Sequence, residues 1–423
     1  MTTQAAEPTV LSKKSMTGTI WVAGGLGILG AAGYVFLTVT AGVPGYAAAL
    51  ASLYLLTAIV GPGVFGALEL ETSRLVAHRG ATAAGAGAVT RQLGLLSASV
   101  LGVVLIVLLA LSPVLVPRVF NGNVALLGSL CAIAVGYAVM AFPRGVFAGQ
   151  QKLNGFALTL VAEGLLRLIP TLLFFALGVK AASAYGWVWG LAPLAAALVS
   201  LKWVWPDRSG PRTPWRELIS AVGWLMASSF LALGMANLGP VITTALLTED
   251  VQRAGVFAFV FVLFRIPHFI FVSLQTVLLP MFSRAAARGD VAGLRKAIKQ
   301  AILIVVGFGL LSGAVILVAA PYIVDFVFKP GHNLSFGVMA LLALGTAAFM
   351  LVQQVLQQGL LSVAGHRWVA VAWFCGMIAF GASFLLPIDP VDAAIVAQYT
   401  GVAVTGILLI CGLRSSFRKA NGA

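Results

Sequence analysis

Apolar residues gather along the chain in blocks of spanning length, divided by short polar or basic breaks. The blocks fall near 18–40, 45–68, 92–116, 124–148, 155–178 and 183–205, and again near 218–247, 251–282, 297–320, 334–358, 366–387 and 393–413. About twenty consecutive apolar residues cross the hydrocarbon core as a helix, and a helix satisfies its own backbone where water is absent. The pattern therefore predicts an all-α integral membrane protein with about 12 transmembrane helices.

Composition sharpens this. With 60% hydrophobic and only 9% charged residues, a soluble domain is excluded. The net charge of +14 would raise nucleic-acid binding in a soluble protein. Here the positive residues sit in the breaks between blocks, so no nucleic-acid partner is expected. Counted with the N-terminus inside, twenty Lys and Arg fall on the cytoplasmic side and four (Arg118, Lys180, Arg253 and Lys329) on the other. The positive-inside rule then sets both termini in the cytoplasm and makes the chain a multi-pass protein of the cytoplasmic (inner) membrane. Residues 1–15 are polar and expected to be disordered. The apolar run after Lys13 and Lys14 reaches about Val39, too long for a signal-peptide core, and reads as an uncleaved first span. Cys131, Cys375 and Cys411 lie inside apolar blocks, spaced neither as metal ligands nor as a disulfide framework; no metal and no cofactor is expected.

The chain also repeats itself weakly. Ser73-Arg74-Leu75-Val76-Ala77-His78-Arg79-Gly80 follows the second block, and Ser283-Arg284-Ala285-Ala286-Ala287-Arg288-Gly289 follows the eighth, 210 residues later. Gly149-Gln150-Gln151-Lys152 after the fourth block resembles Gly365-His366-Arg367 after the tenth, 216 residues on. Two pseudo-symmetric six-helix lobes around a central cavity fit both offsets. The expected division is an N-lobe over 16–206, a cytoplasmic linker over 207–217, a C-lobe over 218–413 and a cytoplasmic tail over 414–423.

Candidate chemistry lies in the few polar groups at membrane depth, which are costly and functional by default. Arg265 and His268 share a face of the eighth block, with Pro267 between them freeing a backbone carbonyl. An arginine cannot escape the cost by losing its proton; it must meet an anion, a water-filled cavity or polar neighbours. Glu163 and Arg167, at i and i+4 in the fifth block, either pair with each other or leave Arg167 to a ligand. Glu163, the one acidic residue deep in any block, is the candidate for ion coupling. Arg144, after Pro143, and Arg74 read as interfacial side chains that together make the inner mouth of a cavity positive, with Glu69 and Glu71 available to pair there. Gly61-Pro62-Gly63 interrupts the second block and reads as a hinge, with Pro267 as a second. Gln353, Gln354, Gln357 and Gln358 either line a cavity or hydrogen-bond between helices.

Three stretches carry a resemblance: FRIPHFIF…LQTVLLPMFSRAAARGD in the eighth block, LYLLTAIVGPGVFGALELETSR from Leu53 to Arg74, and RGVFAGQQ from Arg144 to Gln151. They resemble the multidrug/oligosaccharidyl-lipid/polysaccharide exporter superfamily, most closely its polysaccharide flippase branch and more distantly the flippases of lipid-linked peptidoglycan precursors. The resemblance covers nearly the whole chain. It implies a V-shaped, non-enzymatic transporter that carries a polyprenyl-pyrophosphate-linked oligosaccharide across the membrane for cell-envelope polysaccharide synthesis, with arginines on the pyrophosphate and the lipid tail left in the bilayer. By position Arg265 matches the cavity arginine of the eighth helix, and Arg167, Arg144, Arg74 and His268 are the further substrate-binding candidates. The partners implied are the lipid-linked glycan, the bilayer, and glycosyltransferases or a polymerase of the same pathway, around a monomeric protein. The precursor flippases carry arginines in their first helix and this chain has none there. A cation-coupled multidrug exporter of the same fold is the alternative, with Glu163 as its key residue. A membrane glycosyltransferase or polymerase is the third, and would need the outer acids Asp389 and Asp392 brought together.

Overall fold

The computed structural model describes residues 13–82, 85–204, 210–268, 290–328, 331–345, 350–363 and 365–421, together with 271, 278, 281, 282, 286 and 288. Among them there is no strand. The first six predicted blocks are helices α1 (Lys13–Ala41), α2 (Ala47–Ala81), α3 (Gly87–Val119), α4 (Val124–Gly149), α5 (Leu153–Ala176) and α6 (Ala182–Leu201). The second six are α7 (Trp215–Leu246), α8 (Val251–His268), α9 (Val291–Phe328), a tenth span made of α10 (Phe336–Leu344) and α11 (Met350–Ser362), α12 (His366–Ser383) and α13 (Pro390–Asn421). Ten of these helices are long and apolar enough to cross a membrane among the described residues. The predicted tail from 414 continues α13 as helix to Asn421. Residues 1–12 of the predicted N-terminal segment lie outside the described residues, as do Lys329, Pro280, and Ser283, Arg284, Ala285, Ala287 and Gly289 of the second repeat.

Small residues set the closest helix approaches, as expected where lipid removes the hydrophobic drive between helices. At Gly136 of α4 an added Cβ would lie 2.6 Å from the Leu194 backbone nitrogen of α6 and 2.8 Å from Pro193 Cβ. At Gly190 of α6 it would lie 2.7 Å from the Ser129 carbonyl oxygen of α4. The two backbones are thus in contact along the N-lobe. In the same lobe α1 lies along α5, where a Cβ on Gly164 would meet Ile28 at 2.8 Å.

The halves meet along α1 and α2 on one side and α7 and α8 on the other. Ser52 donates to the Thr244 hydroxyl at 3.3 Å and Tyr34 to the Val262 carbonyl at 3.3 Å. These contacts lie away from the basic helix ends that carry Arg74, Arg79, Arg367 and Arg414. Toward the basic ends the halves part, and a cavity of about 1370 Å³ opens between them. The stretch before α7 is tied to the N-lobe: Arg79, 8% exposed, donates to the Pro211 carbonyl at 2.7 Å and the Thr213 hydroxyl at 3.1 Å. The Gln92 side-chain amide both donates to and accepts from the Thr213 backbone, at 2.9 and 3.0 Å.

Overpacking a tight core costs roughly 1–3 kcal/mol. Gly136→Ala is therefore expected to lower the thermal unfolding midpoint of the purified protein, whereas Gly102→Ala on α3, where a Cβ meets nothing within 4 Å, leaves it unchanged.

Candidate functional site

Regular helix is broken at membrane depth in α2 and in α8 close to the cavity. In α2 the Gly61-Pro62-Gly63 interruption is a π-helical segment, Ile59–Phe65, the kind of insertion found in α-helices at functional positions. Pro62 faces the cavity. Gly61 lets the Tyr137 ring approach so closely that a Cβ there would lie 2.6 Å from it. In α8 the regular helix ends at Leu263 and a turn follows at Phe264 and Arg265, closed by Arg265 N–H on the Val262 carbonyl and His268 N–H on the Arg265 carbonyl, both 3.0 Å. Pro267 lies in the short helical piece after it. Irregular backbone at this depth is tolerated where protein or a cavity surrounds it.

The cavity wall carries Arg74 and Glu71 from α2, a stripe of α7 (Trp224, Ser228 and Ser229), His268 from α8, Gln354 and Gln357 from α11, Arg367 and Trp368 from α12, and Ser415 and Ser416 from α13. Arg74 makes a two-pronged pair with Glu71, Nε to Oε2 at 2.8 Å and Nη2 to Oε1 at 2.6 Å, so Glu71 rather than Glu69 is its partner. Arg265 is 4% exposed and lies one turn of α8 before the cavity-lining His268. Its Nη1 donates to the Asn237 side-chain oxygen of α7. Gln357 accepts from the Trp373 indole N–H at 2.9 Å, so the glutamine cluster serves both roles expected of it.

Glu163, fully buried, organises a second cluster inside the N-lobe. Its Oε2 accepts from Arg144 Nη2 at 2.7 Å and its Oε1 from the Tyr137 hydroxyl at 2.8 Å. Arg167 Nη2 lies 2.8 Å from Oε1 as an ion pair off the hydrogen-bond direction, and its guanidinium stacks 4.0 Å from the centre of the Trp189 ring. Arg144 Nε also donates to the Thr159 hydroxyl at 3.0 Å. The expected interfacial placement of Arg144 is therefore corrected: at 5% exposure it turns inward, because Thr159 and Glu163 offer partners one turn apart on α5. Of the five substrate-binding candidates, Arg74 and His268 line the cavity, Arg265 sits a turn beyond it, and Arg144 and Arg167 are brought together on Glu163.

Sequence reasoning did not single out Tyr137, Thr159 and Trp189, the polar and aromatic partners of the buried cluster, nor Trp224 and Trp368 in the cavity wall. The sequence places Arg367 among the cytoplasmic charges and in the second copy of the repeat, and its place after the tenth block is the signal that points to the cavity mouth.

An all-helical membrane protein, its helices in two halves around a central cavity, is the class that this fold defines. Residues 18–286 match the family model described as polysaccharide biosynthesis protein, and the chain belongs to that family. Among solved structures it is similar to an inward-facing multidrug resistance MATE family transporter, at 14% identity and TM-score 0.73 over 94% of this chain and 96% of the other. It is similar to the lipid II flippase MurJ in an inward closed conformation, at 13% identity and TM-score 0.63 over 96% and 90%. A superfamily transporter from Pyrococcus furiosus, described by the reverse polarity of its binding pocket, matches at 16% identity and TM-score 0.59 over 97% and 96%. No curated protein matches the sequence.

Breaking a buried ion pair by removing one partner costs roughly 3–5 kcal/mol. Glu163→Gln strands two guanidinium groups, whereas Arg144→Gln leaves the Glu163–Arg167 pair. The expected order of thermal midpoints in detergent is wild type, then Arg144→Gln, then Glu163→Gln well below both. Equal midpoints for the two variants would contradict a shared structural role.

Proposed function

We propose that the protein is a flippase moving a polyprenyl-pyrophosphate-linked oligosaccharide from the cytoplasmic to the outer leaflet by alternating access. The observation that carries this reading is the inter-lobe cavity with basic side chains at its mouth and near its apex, Arg74 among them balanced by Glu71. Arg74 and Arg367 stand at the mouth, His268 lies on the wall, and Arg265 lies one turn deeper. Its volume of about 1370 Å³ exceeds the roughly 300–1,000 Å³ of a drug-sized pocket and suits an oligosaccharide head. The positive-inside rule turns the basic ends, and so the cavity mouth, to the cytoplasm, where lipid-linked glycans are assembled.

Arg265 is the primary pyrophosphate contact in this proposal, with His268 and Arg74 beside it and Arg367 guiding entry. Arg144 and Arg167 reach a substrate only by exchanging it for Glu163. Pro267 and the Gly61–Gly63 segment are the hinges that let α8 and α2 reshape the cavity. The polyprenyl tail stays in the bilayer between lobes. The protein acts as a monomer in the cytoplasmic membrane, with both termini inside, beside the glycosyltransferases or polymerase of its pathway.

Salt-sensitive binding of a short-chain polyprenyl pyrophosphate to the purified protein tests the site. Hydrogen bonds to charged groups are worth about 1.5–3 kcal/mol, so Arg265→Ala is expected to weaken binding roughly 10–100-fold. Binding indifferent to Arg265→Ala and to salt would make Arg265 structural and favour a multidrug exporter.

The driving force is testable separately. Each charge crossing the membrane is worth about 2.3 kcal/mol per 100 mV, so exporting a pyrophosphate lipid with about two negative charges releases roughly 4–5 kcal/mol at that potential. Flux in proteoliposomes is expected to rise with an inside-negative potential at constant pH. Flux that follows only a pH gradient would overturn potential-driven transport and turn attention to Glu163.

A further inference from the structure

A second cavity, of about 870 Å³, lies outside the central site, at the basic end where α3 and α7 begin. Its polar end carries Arg91, Arg212, Thr90 and Gln92, and its flank carries Phe142 and Trp215. Most of this polar chemistry is already used. Gln92 is 5% exposed and spends its amide on the Thr213 backbone, and the buried Thr90 hydroxyl donates to the Gly87 carbonyl at 2.9 Å. The two guanidinium groups are different. Both are exposed, neither has an ion pair among the described residues, and the described lining holds no acid.

The groove then runs onto a membrane-facing wall. Gly87, Ala88 and Gly94 keep its floor shallow, and Leu95 on α3 is 55% exposed. Trp215, 44% exposed at the first residue of α7, stands where amphipathic rings mark the boundary between headgroups and hydrocarbon. A double positive charge at headgroup level above an apolar trough matches an anion that carries acyl chains.

We infer that this groove is a binding site for an anionic phospholipid of the surrounding cytoplasmic leaflet, with the phosphate between Arg91 and Arg212 and an acyl chain along Leu95 and Phe142. The lipid bridges the lobes. Arg91 belongs to the N-lobe, whereas Arg212 and Trp215 belong to the stretch that enters the C-lobe, which Arg79 and Gln92 already hold. Occupancy adds a third tie at the same place and makes the inter-lobe connection sensitive to leaflet charge. The inference is independent of which substrate the central cavity carries.

The test is retention of phosphatidylglycerol against phosphatidylcholine on the full-length protein after delipidation from mixed vesicles, counted by native mass spectrometry. Wild-type protein is expected to retain phosphatidylglycerol selectively. The preference should fall roughly fivefold for each of Arg91→Gln and Arg212→Gln, the effect of one basic residue at an anionic surface. Lys296→Gln with Lys299→Gln, exposed changes on α9 at the same end, should leave it unchanged. No selectivity in the wild type, or an equal loss in the α9 variant, would reduce the effect to the net charge of that end and overturn the proposal. Displacement of the retained phosphatidylglycerol by short-chain polyprenyl pyrophosphate would assign the groove to a transported lipid and overturn it equally. Both arginines are exposed, so the variants are expected to fold; an unchanged thermal midpoint confirms that a lost preference reports binding.

Discussion

A carboxylate shut away from solvent between two guanidinium groups is the constraint on which the N-lobe depends. Taking three charges out of water costs several kcal/mol for each ion. Glu163 offsets much of this by pairing with Arg144 and Arg167 while accepting from Tyr137. Because its partners come from α4 and α5, with Trp189 of α6 stacked on Arg167, the cluster pins three helices in one register. The close backbone approach of α4 and α6 at Gly136 and Gly190 acts in the same direction through van der Waals contact. Polar pairing and small-residue packing thus converge on one rigid unit.

That rigidity gives meaning to the breaks in helix geometry near the cavity, in α2 and α8. The π-helical segment of α2 packs against Tyr137 on one face and presents Pro62 to the cavity on the other. The turn at Phe264 and Arg265 stands opposite on α8. Each break leaves backbone groups without their regular helical partners at membrane depth. Such groups persist where a cavity or neighbouring side chains can serve them: Pro62 of the first break lines the inter-lobe cavity, and the second lies one turn from the lining His268.

The spans were legible because hydrophobic run length is a one-dimensional signal: among the described residues each block holds helix, although α2, α9 and α13 run on past the apolar run into polar turns. The polar residues at depth were legible as a list, since each is conspicuous against an apolar background. Of their pairings only the i, i+4 contact of Glu163 with Arg167 could be offered from spacing. Arg144 and Glu163 are 19 residues apart on antiparallel neighbours, and whether Arg144 points out to the interface or in toward α5 depends on the rotation of α4 about its axis. Tyr137 and Trp189 gave no sign at all, because an aromatic residue in an apolar helix looks the same facing lipid or facing a guanidinium. The tie from Arg79 to the inter-lobe stretch was hidden for a different reason. Its acceptors include a backbone carbonyl, Pro211, which no residue pattern marks.

The contrast between the bonds inside the N-lobe and those between lobes bears on how such a molecule changes shape. Opening the Glu163 cluster would expose unpaired charges at membrane depth. Among the described residues, two hydrogen bonds between lobes on the closed side are neutral: Ser52 with Thr244, and Tyr34 with the Val262 carbonyl. A neutral hydrogen bond contributes only about 0.5–1.5 kcal/mol net, and its groups find new partners readily once water enters. Under the proposed alternating access, the motion of lower cost is one lobe rocking against the other with the charged cluster intact. In that motion Arg79 and Gln92, which hold the stretch before α7 at the basic end, would keep the halves joined there. A charged cluster inside one lobe and neutral hydrogen bonds between lobes on the closed side suit the alternating access proposed above.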